Sequence, residues 1–167
     1  MRIIFFLFLF ISSPAVMAIG CSNIKDANLC RKATEGGVNE QFALGVIYET
    51  GYKVKQDSSA ASYWYQKAAE QGDAEAQFKL GLMYSLGEGV KQNNVTSAQW
   101  FQKSAKQGNA DAQLFLGFAY QSGAGVKQNY VTAINLFQKS AEQGNAGAQL
   151  MLGSIYYSGE GVKQNYA

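Results

Sequence analysis

The chain has 167 residues, 14 Lys and Arg against 12 Asp and Glu, a net charge of +2, two cysteines and no histidine. So even a charge balance leaves no electrostatic footprint for nucleic acid or anionic lipid. Without imidazole there are no His general bases, no Ser-His or Cys-His nucleophile pairs and no His metal sites, and two cysteines cannot complete a structural zinc centre, so neither metal nor cofactor is expected.

Arg2, the apolar run 3–11 and then Ser12, Ser13, Pro14, Val16, Met17 and Ala18 follow the charged, apolar and cleavage-site order of a secretory signal peptide. The run is about half of the ~20 residues a spanning helix needs. Residues 1–18 are therefore expected to be removed after Ala18, leaving no integral membrane segment and a periplasmic or secreted chain. Ala18-Ile19-Gly20-Cys21 also resembles a lipoprotein box, with Ala18 where Leu is usual, so an outer-membrane lipoprotein anchored through Cys21 stands as the alternative. In an oxidising compartment Cys21 and Cys30 form a candidate disulfide. On one continuous helix nine residues span ~13 Å, whereas a bridge needs Cα atoms within ~7 Å, so bridging requires Cys21 to lie in a loop that folds back.

After a segment at 19–36 with a helix near 23–35, the chain repeats itself. Leu44-Gly45, Leu80-Gly81, Leu116-Gly117 and Leu152-Gly153 recur every 36 residues, and Tyr48, Tyr84, Tyr120 and Tyr156 keep the same register. So do Val54-Lys55-Gln56, Val90-Lys91-Gln92, Val126-Lys127-Gln128 and Val162-Lys163-Gln164. A fixed period of this size means stacked supersecondary units, here 37–72, 73–108, 109–144 and a partial 145–167. Within each, Asp73, Asn109 or Asn145 caps a helix A whose Ala, Leu and Tyr fall at i, i+4, i+8; Gly87, Gly123 or Gly159 ends it. After a loop of about seven residues, Asp57, Asn93 or Asn129 caps a helix B bearing Trp64 and Tyr65, Trp100 and Phe101, or Leu136 and Phe137, stopped by Gly72, Gly108 or Gly144. Helices are expected at 38–50, 57–71, 73–86, 93–107, 109–122, 129–143 and 145–158, with no sheet. Segment 19–36 holds the place of a leading helix B, with Asn28 where the Trp would stand, and reads as a cap. A fourth helix B is due to start at Asn165, so the chain reads either as a fragment or as one whose last helix A is covered by something else.

These columns, A-x-x-x-LG-x-x-Y-x-x-G-x-GV, then Asp or Asn, then W-[YF]-x-KAA-x-x-G, resemble the Sel-one-like repeat family, close to the tetratricopeptide repeats. Departures are Lys53 for the second loop glycine, Leu136 for Trp, and Ser104 and Ser140 for the first Ala of KAA. The resemblance implies an all-α, right-handed superhelical solenoid of antiparallel helix pairs. It also implies a non-enzymatic scaffold for a protein or peptide partner, exported in bacteria. An immunity protein against a secreted toxin is a narrower form of that reading.

Cysteine-rich relatives described as weak β-lactamases set the enzymatic alternative. Ser22-Asn23-Ile24-Lys25 has the S-x-x-K spacing, but K-T-G and S-D-N are missing and no Cys pair recurs per repeat. No catalytic residue is assigned. Side chains demanded in every unit (Leu44, Gly45, Tyr48, Leu80, Gly81, Tyr84, Leu116, Gly117, Tyr120, Leu152, Gly153, Tyr156, Trp64 and Trp100) are expected to pack between units. Columns that vary among copies, opposite the Ala-Leu-Tyr stripe, bring Lys79, Leu82, Phe115, Phe118 and Met151 to the side of helix A that commonly lines a solenoid's concavity. They form either a partner-binding patch or packing between neighbouring units.

Overall fold

The computed structural model describes Cys21 and residues 23–159. The expected signal peptide, Ser22 and the last loop with Val162-Lys163-Gln164 and Asn165 lie outside the described residues. Within them the chain is helical throughout: α1 Ala27–Thr34, α2 Val38–Thr50, α3 Ser58–Glu70, α4 Ala74–Leu86, α5 Asn94–Lys106, α6 Ala110–Ser122, α7 Tyr130–Glu142 and α8 Ala146–Ser158. Helices α2, α4, α6 and α8 are the A helices of the repeat, and α3, α5 and α7 the B helices. Each packs on its sequence neighbours, the solenoid pattern.

The caps account for the boundaries. Asp73, Asn109 and Asn145 accept from the amides of Ala76, Ala112 and Ala148, and Asp57, Asn93 and Asn129 do the same for the B helices. Gly51, Gly87, Gly123 and Gly159 end the A helices in the left-handed conformation, with φ of 72°, 77°, 78° and 72°. The glutamine of each Val-Lys-Gln then folds back, Gln56, Gln92 and Gln128 donating through Nε2 to the carbonyls of Glu49, Ser85 and Gln121 at 2.8 Å each.

The first helix departs from expectation. It begins at Ala27, capped by Asp26, rather than near residue 23. Cys21 is joined to Cys30 with a Cα–Cα distance of 6.0 Å, a separation no continuous helix allows over nine residues, so the segment before Asp26 turns back instead of adding a helical turn. Lys53 takes φ of 59° where later copies have Gly89 and Gly125. Those glycines press against the first-turn carbonyls of Ser58 and Asn94, so closely that a Cβ would overlap the backbone. Ahead of the first copy the described residues 23–26 are not helical.

The core runs along the stack in three clusters, one from Ala33 to Met83, one around Phe78, Phe101 and Leu116, and one around Leu114, Phe137 and Ile155. Trp64 is buried, whereas Trp100, Tyr84 and Tyr120 are half-buried. Trp100 carries the Lys103 ammonium 3.9 Å above its ring.

Candidate functional site

Helix geometry puts the varying columns of helix A at the junctions between units. At the first junction Lys79 Nζ lies 3.1 Å from Glu49 Oε2 and 3.2 Å from Oε1. The same carboxylate accepts from the Tyr65 hydroxyl. Burial of the Tyr65 phenol and its bond to Glu49 raise its pKa well above the ordinary tyrosine value, so it stays a neutral donor. Lys79 and Glu49 keep 28% and 37% of their side-chain surface exposed, so this is a wet charged pair at the edge of the stack.

At the next junction the columns of Lys79 and Leu82 are aromatic, with Phe115 and Phe118. Phe115 replaces the lysine, and its ring centroid lies 5.6 Å from both Phe78 and Phe101 and 6.2 Å from Phe118. Phe118 continues to Phe137 at 5.3 Å. Such offset and edge-on spacings are the favourable ones for aromatic pairs. Phe115 and Phe118 are half-buried, and they open into a cavity of about 120 Å³ whose other walls include Ser85, Asn94, Ser97 and Ser122. Leu82 packs on the Phe101 cluster beside Phe115, and Met151 on the Phe137 cluster beside Phe118. Leu82 and Phe115 thus pack on one cluster and Phe118 and Met151 on the next, joined by the Phe115–Phe118 contact, while Lys79 belongs to the charged junction one unit earlier.

Sequence reasoning overlooked Glu49, which has no counterpart in other copies (Ser85, Gln121 and Tyr157 hold its column), and a glutamine lattice that does repeat. Gln41, Gln77, Gln113 and Gln149 donate to the carbonyls of Ala33, Ala69, Ala105 and Ala141 in the preceding helix. They recur at the same 36-residue period and were therefore visible. Among the described residues no group of three or more Cys, Asp or Glu is placed to hold a metal, and no helix is long and apolar enough to cross a membrane.

The family profile described as Sel1 repeat matches residues 41–73, 74–109, 110–145 and 146–167. Among solved structures, the chain is similar to a protective antigen present in uropathogenic Escherichia coli strains, which displays an SLR fold. The two are 41% identical with a TM-score of 0.80, over 82% of this chain and 29% of that one. It is also similar to a Sel1 repeat protein from Oxalobacter formigenes, 36% identical with a TM-score of 0.76, over 83% of this chain and 57% of that one. Cysteine rich protein B of Helicobacter pylori shares the fold at 22% identity and a TM-score of 0.61, over 75% of this chain and 95% of that one. The chain thus spans under a third and under two thirds of the first two structures. No curated protein matches the sequence. The chain belongs to the Sel1 repeat family, whose fold is in general a protein-interaction scaffold and typically non-catalytic.

Proposed function

We propose that this Sel1-repeat chain is an exported, non-enzymatic scaffold that holds a protein or peptide partner against its A-helix face, in the periplasm or outside the cell. The observation that carries the reading is the pair Phe115 and Phe118: half-buried rings, edge-on to each other and held by Phe78, Phe101 and Phe137, that together wall an open cavity. A side chain of the partner enters against the phenylalanine rings, rimmed by Ser85, Asn94, Ser97 and Ser122, and burying one aliphatic anchor there contributes roughly 1.5–3 kcal/mol. Useful affinity then needs Leu82, Met151 and the Lys79–Glu49 edge as further contacts. The Cys21–Cys30 disulfide supports export, as does the description of the Escherichia coli relative as a protective antigen.

Ser122 is exposed at the cavity mouth, so Ser122→Lys blocks the groove at little cost to the fold. In pull-downs from bacterial envelope extract, a partner held by wild type and by a Lys127→Ser loop control is expected to be lost from Ser122→Lys. Equal retention by all three proteins, or capture of nothing by wild type, would sink the proposal.

A further inference from the structure

The cavity walled by Phe115 and Phe118 belongs to one junction rather than to the repeat. Four of its lining residues, Ser85, Ala119, Ser122 and Ala124, stand one period after Glu49, Met83, Leu86 and Glu88. Each of these replacements shortens the side chain, and two of them remove a carboxylate. Rings gather opposite, where Phe101, Phe115 and Phe118 take the places of Tyr65, Lys79 and Leu82. At the first junction the equivalent positions hold the Glu49 carboxylate, which accepts from the Tyr65 hydroxyl and pairs with Lys79, and a buried Met83. One junction beyond the cavity, the columns of Ser85 and Ala119 are long again, as Gln121 and the buried Ile155. The opening between α4, α5 and α6 therefore comes from side chains cut back at this level, not from the helix geometry that every unit shares.

What remains is uncharged and two-sided. The volume of about 120 Å³ is close to the ~150 Å³ of a cavity that takes up one benzene ring. No lining residue carries a charge, so a charged side chain would give up its hydration there without a partner. The polar groups are only partly spent. Ser97 and Ser122 donate their hydroxyls to the carbonyls of Gly81 and Phe118, at 2.8 Å each. The hydroxyl of half-buried Ser85 and the side-chain amide of exposed Asn94 make no hydrogen bond among the described residues.

The geometry points to a socket for a single phenol ring, the side chain of a tyrosine carried by the partner. This rests on the partner-binding reading above and narrows its anchor. The ring packs on Phe101, Phe115 and Phe118, which already meet one another in tilted and edge-on arrangements. The hydroxyl, able both to donate and to accept, meets the two unspent groups at Ser85 and Asn94. A phenylalanine fills the same space and leaves those groups unmatched. A leucine forfeits the ring contacts as well.

The probes are N-acetyl-tyrosinamide, N-acetyl-phenylalaninamide and N-acetyl-leucinamide, titrated into the isotope-labelled chain and followed by NMR. The tyrosine compound is expected to shift the amides of Ser85, Phe115 and Ala119 saturably. It should bind at least about threefold more tightly than the phenylalanine compound, the gain of one typical net hydrogen bond, with the leucine compound weaker than both. Ala119→Met restores the residue that the first junction buries at this place. It should weaken the tyrosine compound at least tenfold while the helical circular dichroism is retained. Ser85→Ala combined with Asn94→Ala, at a half-buried and an exposed position, should bring the tyrosine compound down to the affinity of the phenylalanine one. The proposal is overturned by the absence of a saturable shift, by indifference to Ala119→Met, by a leucine or phenylalanine compound bound as tightly as the tyrosine one, or by a tyrosine preference that survives the double substitution. The two readings fail apart. A partner captured from envelope extract and lost from Ser122→Lys, with no binding of the tyrosine compound, refutes the socket alone; saturable tyrosine binding with nothing captured refutes the scaffold alone.

Discussion

Gly117 and Gly153 occupy equivalent places on α6 and α8, and replacing each with alanine separates packing from helix propensity. Both lie inside regular helices, so each substitution gains the same propensity, about 1 kcal/mol. Their surroundings differ. A methyl at 117 would lie 2.5, 2.8 and 3.1 Å from Cε1, Cδ1 and Cζ of Phe137, while at 153 nothing lies within 4 Å among the described residues. Phe137 is fully buried, with the Phe118 ring at 5.3 Å, so it has no solvent into which to swing. Overpacking of this kind costs about 1–3 kcal/mol. Gly153→Ala is therefore expected to stabilise by up to about 1 kcal/mol, and Gly117→Ala to be less stable than Gly153→Ala by about 1–3 kcal/mol. With a urea slope of about 2 kcal/mol per molar, the two midpoints should differ by about 0.5–1.5 M, read by circular dichroism. Coincident midpoints would refute the argument that the repeating glycine exists to admit the ring.

Phe115→Ser should cost about 2 kcal/mol, between the surface range and the ~3–5 kcal/mol of a fully buried phenylalanine, because its half-buried ring touches Phe78 and Phe101; urea unfolding measures it, and an unchanged midpoint would mean the ladder carries no packing. Cys30→Ser should remove about 2.5 kcal/mol of loop-closure stabilisation and, since the bridge ties only the residues before α1 to that helix, faster hydrogen exchange should be confined to α1, with protection kept from α4 onward. Tyr65 has its pKa raised in the fold, first by desolvation and then by the bond to Glu49. Its contribution is complete below the unfolded tyrosine value near 10 and is lost as pH rises above it. Wild type should therefore lose stability from about pH 10 upward more steeply than Tyr65→Phe, and equal slopes would show that the hydroxyl is not held neutral by the fold.

The period alone carried most of the architecture, because a solenoid asks each residue only to satisfy its own unit and the next. Caps such as Asp57, Asn93 and Asn129 are local, so their positions were legible to within a residue. What stayed hidden required three-dimensional pairing. Gly81 reads from the sequence as a repeat position packed between units, but the ring that fills the space beside it is Phe101, twenty residues on. The Glu49–Lys79 pair joins residues 30 apart in two columns, each of which is charged in one copy alone, the first for Glu49 and the second for Lys79. Phe115 and Phe118 could be placed on one face from helical spacing, but whether that face was open or covered depended on the stacking of the next unit, which leaves both half-buried.

Lys53 shows the same limit from the other side. As a departure from the glycine column it looks like a tolerated lapse, since the residue gives up the conformational freedom that Gly89 and Gly125 supply. The constraint on that column is mainly steric: the glycines lie against the carbonyls of Ser58 and Asn94, at the start of the preceding B helix. Before the first copy the leading helix spans only Ala27–Thr34 and residues 23–26 are not helical, so Lys53 faces no described helical turn of that kind, and the cost of a left-handed lysine remains. The lysine and the cysteine pair, read separately in the sequence, both sit where the leading helix is shorter than the later B helices. The repeat rule is relaxed at the first copy, where the described residues before Ala27 do not form the opening turn of a B helix.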